Sequence, residues 1–470
     1  TRGTPLAVKS PETWYIHLSS KDHVMELKDA PEELLSLHAL SKDMFKPKYT
    51  MNGLEVEDKM KANGSLHTRV LRVVLRSHLL ELCSPLSRIL HEVFDSEFSR
   101  TKKTGEEWVK LPIFPTAKTV ITAANALTFF GTELAYNLAF LEAAAAYPED
   151  LLFTAETLRL LPSILHPFLA PILMRNYRAS KTMVKFLTPL IEERLRRSKD
   201  GNWGFGEKPA DCIQFFVDAN IRGKDTWTAR KVVQVLLGTW FAAVHQTALT
   251  AVYALEDLCR HMEYIDPLRQ EIFSLLSQEE THTTSERALG VKSASVAAAL
   301  ENAPILDAFL KESSRLHPSD SISVRRKVLE PFTFQDGTHI LPGDVVCVPM
   351  QAMMLDEEVY PDSAAFDPLR FVTPVDDHDN YEISAENMPS TVRNTSRFTD
   401  SDFAYPLWGL GKHSCPGRYY ASMILKIFVA HIITHYEIKL PEQHASRTFH
   451  FRSAIIPKAS SSLLFRRRID

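Results

Sequence analysis

The sequence predicts one large, mainly α-helical domain carrying small β-sheets, and three observations point there. Apolar residues recur at helical spacing almost without interruption from Leu66 to His317. From Ser321 to Pro349 the pattern changes to short alternating runs, "SISVRRKV", "FTFQDGTHILPG" and "DVVCVPM", separated by turn dipeptides. No internal repeat and no Gly/Ser linker divides the 470 residues, so residues 1–470 read as a single domain. A chain of this length buries most of its apolar surface without needing disulfides or a structural metal.

The opening, through about Met60, mixes short apolar runs with prolines and reads as strands and loops. From Leu66 to Phe94 the apolar spacing predicts a helix with arginines on its other faces. Turns are expected near Pro112, Pro115, Pro148, Pro209 and Pro267. The apolar stretch from Leu160 to Met174 is interrupted by Pro162, Pro167 and Pro171, so it cannot be a regular spanning helix. It reads either as core or as an apolar surface that dips into a membrane. From Val232 to Leu255 run 24 residues without a formal charge, long enough on paper to cross a bilayer. His245, Gln246, Thr247 and Thr250 sit in its centre and Asp225 offers an N-cap, so a long buried core helix is the better reading. The acidic, aperiodic stretch from Asp376 to Ser401 reads as a surface insertion. A helix from about Pro416 to Tyr436 and a strand-rich tail close the chain.

Composition narrows the function. Apolar residues make up 45%, charged residues 24% and aromatics 10%, which excludes the disordered, collagen-like and coiled-coil classes. Lys plus Arg number 54 against 58 Asp plus Glu, a net charge of −4 that does not suit a nucleic-acid binder. Cys83, Cys212, Cys259, Cys347 and Cys415 show no zinc-like or redox-like spacing, so a disulfide framework is not expected and a reducing compartment is. Thr1 is not an initiator methionine: either a native N-terminus was removed or the numbering begins inside a longer protein.

The chemistry concentrates in "FAYPLWGLGKHSCPGRYYASMILKIF", from Phe403 to Phe428. Cys415 follows a Gly-rich loop and directly precedes an amphipathic helix, with Gly411 and Gly417 flanking it and His413 two residues upstream. Glycines let a backbone come close to a flat cofactor. Loop N–H groups and the helix N-terminus favour negative charge on sulfur. Cys415 alone would read as a structural thiol beside a helix cap; the whole pattern suits a metal-bound thiolate.

These residues resemble the cytochrome P450 family, the haem-thiolate monooxygenases. The family's loop, aromatic-x-x-Gly-x-basic-x-Cys-x-Gly, is matched in order by Trp408, Gly411, His413, Cys415 and Gly417, with Trp for the usual Phe and His for the commoner Arg. Glu312 and Arg315 in "LKESSRLHP" resemble its Glu-x-x-Arg, and "FDPLRF" resembles the segment whose arginine, here Arg370, joins that pair. The uncharged helix lies where the family's oxygen-binding helix lies. "FFGTELAYNLAFLE" looks most like filamentous-fungal members.

The resemblance implies a cytochrome P450-type haem-thiolate fold over nearly the whole chain, with haem b as cofactor and Cys415 as its axial thiolate. A thiolate in that place pushes electron density toward iron and favours O–O cleavage. By the same resemblance Trp408 packs near the sulfur, and His413, Arg325 or its neighbour Arg326, His67 and Arg72 are candidate cations for the haem propionates. Glu312, Arg315 and Arg370 are implied to form a buried scaffold network, beside which Lys311 is expected to be exposed. On the oxygen side the family's Ala-Gly-x-acid-Thr-Thr is replaced by "AAVHQT". His245 and Gln246 thus stand for the acid and the threonine, with Thr247 as a further candidate. Histidine can relay protons near neutral pH, and glutamine can hold a water.

Phe241, Ala242, Ile322 and Ile456 are implied to line a mostly apolar substrate pocket, with Ser319, Ser321 and Ser323 offering hydroxyls. The expected function is monooxygenation of a small lipophilic metabolite, such as a terpenoid, polyketide or alkaloid. No Gly-x-Gly-x-x-Gly fingerprint occurs, so electrons are expected from NADPH through a separate NADPH–cytochrome P450 reductase. The altered relay keeps open a haem-thiolate catalyst of rearrangement, dehydration or oxidative coupling. A haem sensor or carrier without turnover is the third reading. An anchor before Thr1 would place the protein on the cytosolic face of the endoplasmic reticulum membrane; the residues present read as soluble.

Overall fold

The computed structural model describes residues 3–58, 65–201, 203–204, 208–222, 227–282, 299–375, 384–385, 392–442, 448–458 and 460–469. Its axis is the helix Ala229–Arg260, which starts where the Thr228 hydroxyl accepts the Lys231 N–H. The expected cap, Asp225, lies outside the described residues. This helix is buried on most of its circumference, as its lack of charge requires. Trp240, fully buried, donates its indole N–H to the Ala144 carbonyl at 2.9 Å and so ties the long helix to the helix Leu138–Arg159. The helix Ile113–Phe130 packs alongside and ends at Gly131, whose φ is +88°. A side chain there would meet the Asp211 carboxylate at 2.7 Å, so only glycine fits beside the Arg194–Asp211 ion pair. Among the described residues the long helix is the one of a length and apolarity to cross a membrane, and it forms core instead.

One small sheet has an apolar core of its own, around Val324, Val328, Val346 and Val348, and another packs into the helical core. A five-stranded sheet runs Leu6–Lys9, Trp14–His17, Val345–Val348, Ser323–Val328, Leu35–Ser36, parallel only between the second and third of these. Tyr436–Lys439, Ser462–Arg467 and Val109–Pro112 form a three-stranded sheet, and Thr448–Phe451 pairs with Ala454–Pro457.

Several elements differ from expectation. The opening holds helices at Lys21–Asp29, Leu37–Phe45 and Pro47–Thr50; the side chains of Ser20 and Ser36 cap the first two. The expected helix from Leu66 to Phe94 is interrupted. Leu66–Arg69 runs into a π-helical turn, Val70–Leu75, and a new helix, Leu79–Thr101, begins after His78. Pro115 and Pro267 fall in first helical turns, where a missing N–H costs nothing, and Pro148 lies inside a helix rather than at a turn. Part of the acidic stretch lies outside the described residues, but its end is no surface insertion. Val392–Asn394 pairs with Val372–Pro374, and Phe398 is fully buried. Lys311 is buried, not exposed: its ammonium sits 4.5 Å from the Tyr405 ring and 4.8 Å from the Phe371 ring, and donates to Ser396 and the Arg397 carbonyl.

Where the helix Leu79–Thr101 meets the helix Arg418–His435, His91 stacks on His431 with ring centres 3.9 Å apart. Burial and the neighbouring His435 hold His91 down to about 4, and burial with its two imidazole neighbours holds His431 low, against the pull of Asp95. Both groups have lowered folded pKa values, so the unfolded chain binds these protons first. The pair's contribution to stability is complete above about 6.5 and declines as pH falls toward about 4. His91→Phe should flatten that decline by about 1–2 kcal/mol between pH 7 and pH 4.5, as read from denaturation midpoints. An unchanged pH dependence in the variant would remove the stack as its source.

Candidate functional site

The cysteine loop is positioned by a relay of hydrogen bonds from the helix Pro304–Leu316. The Asp307 carboxylate accepts the Phe398 N–H at 2.6 Å, the Phe398 carbonyl accepts the Trp408 indole N–H at 2.6 Å, and the Trp408 carbonyl accepts the Cys415 N–H at 2.6 Å. Asp307 also pairs with Lys426 of the helix that follows the cysteine. Gly409 and Gly411 both have positive φ, and a side chain on Gly411 would meet Lys28 at 2.8 Å. The tight glycine of this loop therefore serves loop packing. Arg72 donates to the carbonyls of Lys412 and Ser414 at 2.9 and 3.0 Å, clamping the loop from the π-helical turn. Burial raises the Cys415 thiol, opposed by the N–H groups of Gly417 and Arg418 and the charges of Arg418 and Arg72. Two amides and two guanidinium groups thus favour the thiolate.

Beneath the loop, Arg315 grips Glu312 with two donors at 2.7 and 2.8 Å, both side chains fully buried. Arg315 also donates to the carbonyls of Met354 and Ala365. Glu312 further accepts from the Asp367 N–H at 3.0 Å and from Arg370 at 3.2 Å. The three charged residues singled out in the sequence come together with the main chain of two loops.

A cavity of about 2170 Å³ opens beside the cysteine loop. Lys412, His413, Ser414 and Pro416 form part of its wall, and Phe241, Ala242, His245 and Gln246 of the long helix form another part. Ile322, Ile456, Arg325, His67 and Arg72 also line it. Ordinary ligand clefts measure roughly 300–1,000 Å³, so this space exceeds a substrate's needs and leaves room for a macrocycle. Other features fit haem as well. Ala242 and Gln246 are exposed in the middle of a largely buried helix, where they front the cavity. A Cβ on Gly417 would touch nothing within 4 Å. Buried nitrogens of Arg72 and Arg325, both in the cavity wall, lack partners, as donors awaiting carboxylates would.

The expected cations are not equivalent. His413 lies 2.9 Å from Glu32, which holds no place in the sequence pattern. Despite its burial, Glu32 is pulled down to about 2 by His413, Ser36 and the His38 amide. Arg326 stands behind this pair, lowered to about 10 by burial, while Arg325 faces the cavity and pairs with Asp320 and Ser453. His67 turns to Ser65 and, lowered to about 4 by burial, His38 and Lys231, is neutral. Thr247 is absent from the cavity wall: its hydroxyl donates back to the Ala243 carbonyl at 3.1 Å, which also accepts from Asn125. His245 is lowered to about 4 by burial and Lys118, and its buried Nδ1 has no partner.

A helical fold in which a cysteine on a Gly-rich loop directly precedes a helix beside a large cavity, with a buried Glu-x-x-Arg pair on the same scaffold, is the arrangement expected of the haem-thiolate class. A family model described as Cytochrome P450 matches residues 13–465, and the chain belongs to that family. It is 27% identical to "Cytochrome P450 monooxygenase 151" of Postia placenta over 97% of this chain and 85% of that one. It is 30% identical to "Ent-kaurene oxidase P450-4" of Gibberella fujikuroi, over 86% and 74%. In fold it resembles the cytochrome P450DA heme domain, with a TM-score of 0.72 at 15% identity, covering 99% of this chain and 90% of the other. The protein is thus an oxygen-incorporating oxidoreductase with fungal relatives, and its family and fold imply haem held by a cysteine thiolate.

Removing one member of a buried charged pair strands its partner at about 3–5 kcal/mol. Arg315→Ala should therefore give little haem-loaded protein, measured as haem absorbance per polypeptide. Full loading with an unchanged unfolding midpoint would strip Arg315 of its scaffold role.

Proposed function

We propose that the protein, acting as one domain, is a monooxygenase that oxidises a small lipophilic metabolite with dioxygen and electrons passed from NADPH by a separate flavoprotein reductase. The observation that carries this is the Cys415 sulfur, which receives the Gly417 and Arg418 amides at a helix start beside the cavity. When bound there, haem supplies the activation of dioxygen; the chain's own residues do the rest. The two amides and Arg72 hold charge on sulfur, and Arg325, which faces the cavity, stands ready for a propionate, with His413 also in the cavity wall. His245 stays neutral at pH 7 and offers one ring nitrogen as donor and one as acceptor. Gln246, facing the cavity, holds a water or donates its amide, so the pair moves protons in place of the usual acid and threonine. Thr247, bonded to its own helix, only shapes the Ala243 carbonyl.

Substrate preference is read from the wall. Phe241, Ala242, Ile322 and Ile456 are apolar, with Ser319 and Ser321 as hydroxyls, and one relative is named an ent-kaurene oxidase. These favour a terpenoid-like metabolite over a polar one. Leu160, Ile164, Phe168 and Ile172 are exposed on the short helical segments after residue 159, as a face resting on the endoplasmic reticulum membrane would be. The second reading, rearrangement or coupling without oxygen insertion, draws on the position of Thr247 away from the cavity.

The reduced carbon-monoxide complex should absorb at the strongly red-shifted position of thiolate-ligated haem, and Cys415→His should move it to that of histidine ligation. A histidine-type spectrum in the unaltered protein sinks the assignment. Replacing His245 and Gln246 together with Ala should preserve that spectrum yet lower product per NADPH and raise peroxide release, with the rate of product formation down by about 10²–10⁴. Normal coupling in the double variant, together with product that carries no label from ¹⁸O₂, would favour the second reading.

A further inference from the structure

Four charged side chains from three distant segments close on one another at the rim of the cavity. Glu12 lies in the turn between Leu6–Lys9 and Trp14–His17, Glu156 and Arg159 in the last turn of Leu138–Arg159, and Arg452 in the turn between Thr448–Phe451 and Ala454–Pro457. Arg159 reaches Glu12 at 2.6 Å and Glu156 at 2.7 Å; Arg452 reaches Glu12 at 3.2 Å and Glu156 at 2.8 Å. Each acid is shared by both arginines, which makes a closed square of ion pairs. Glu156, Arg159 and Arg452 line the cavity, and the four side chains keep between 7% and 28% exposure, so the square stands between cavity and solvent. Around it Val8, Phe153, Leu160 and Phe451 are exposed.

Three of the four pairs are charge-assisted hydrogen bonds, which are strong and directional, while Arg452 and Glu156 meet as an ion pair; partial exposure leaves all four open to screening by salt. They bridge a sheet, a core helix and a separate hairpin, so parting them lets these three elements move apart. The charges cancel within the square, and its surround is apolar. A neutral lipophilic molecule can gather at the rim, whereas an ion finds every charged group already paired.

We propose that this square is an ionic clasp over the route to the cavity, which makes Glu12, Glu156, Arg159 and Arg452 specificity-determining residues that act on admission rather than on chemistry. The inference relies on the haem reading only for its optical probe. Arg452→Gln is the informative variant, because it removes two pairs yet leaves both carboxylates bound to Arg159. The holoenzyme is mixed with a neutral azole, whose nitrogen ligates haem iron with a spectral shift, and association is followed by stopped flow at rising salt. Association to the unaltered protein should accelerate as salt screens the clasp. Arg452→Gln should associate about ten-fold faster at low salt, from two lost pairs near the upper end of the range for partly exposed ion pairs. It should also lose most of the salt dependence, and Glu12→Gln should behave alike from the other corner. In both variants hydrogen exchange at residues 10–13 and 451–454 should rise, a readout independent of haem. Unchanged rates and salt slopes in both variants overturn the clasp. If no azole shift occurs even in the unaltered protein, the haem reading fails, and unchanged exchange in the variants then overturns the clasp on its own.

Discussion

The buried pair of Glu312 and Arg315 is the constraint on which the rest of the site depends. Taking both charges out of water is costly, and their mutual attraction offsets it only when every remaining donor and acceptor is matched. Here the matches are main-chain groups of Met354, Ala365 and Asp367, together with Arg370. The pair can therefore exist only when two loops have folded onto its helix. The same helix carries Asp307 and Lys311, which fasten the segment around residues 396–398. From there the connection runs through Trp408 to the amide of Cys415. A charge pair buried far along the chain thus fixes where a sulfur atom sits.

Much of this was legible because it is written in contiguous residues. The cysteine loop, the Glu-x-x-Arg and the uncharged helix each carry their pattern within a few turns, and the structure brings the first two onto one scaffold. What was not legible depends on partners far away in sequence. Glu32 gives no local sign that it will meet His413, 381 positions later. Lys311 was expected in solvent because lysine is rarely fully buried; two aromatic faces and two oxygens make an interior place tolerable. The opening helices were hidden by prolines, although Ser20 and Ser36 were caps in plain view. Thr247 was ambiguous because helical spacing alone does not say which carbonyl a hydroxyl will find.

The two sides of the cavity differ in their physical character. The sulfur side is held by main-chain donors and buried charges whose positions are over-determined. The facing helix offers an imidazole with an unpartnered nitrogen and an amide among mostly apolar wall residues such as Val235, Phe241, Ala242 and Leu249. One side carries fixed charge, the other neutral polar groups.

The π-helical turn Val70–Leu75 has a consequence for how the chain tolerates insertion and deletion. A π-helical turn closes its hydrogen bonds one residue further along than an α-helical turn, and so absorbs one additional residue. Arg72 sits within it and clamps the cysteine loop through two carbonyls. Restoring a regular α-helix by deleting one residue ahead of Arg72 would rotate that guanidinium about 100° around the helix axis. The reading frame of this segment is thus locked by a contact 340 residues away, and a length change there is felt first at the cysteine loop.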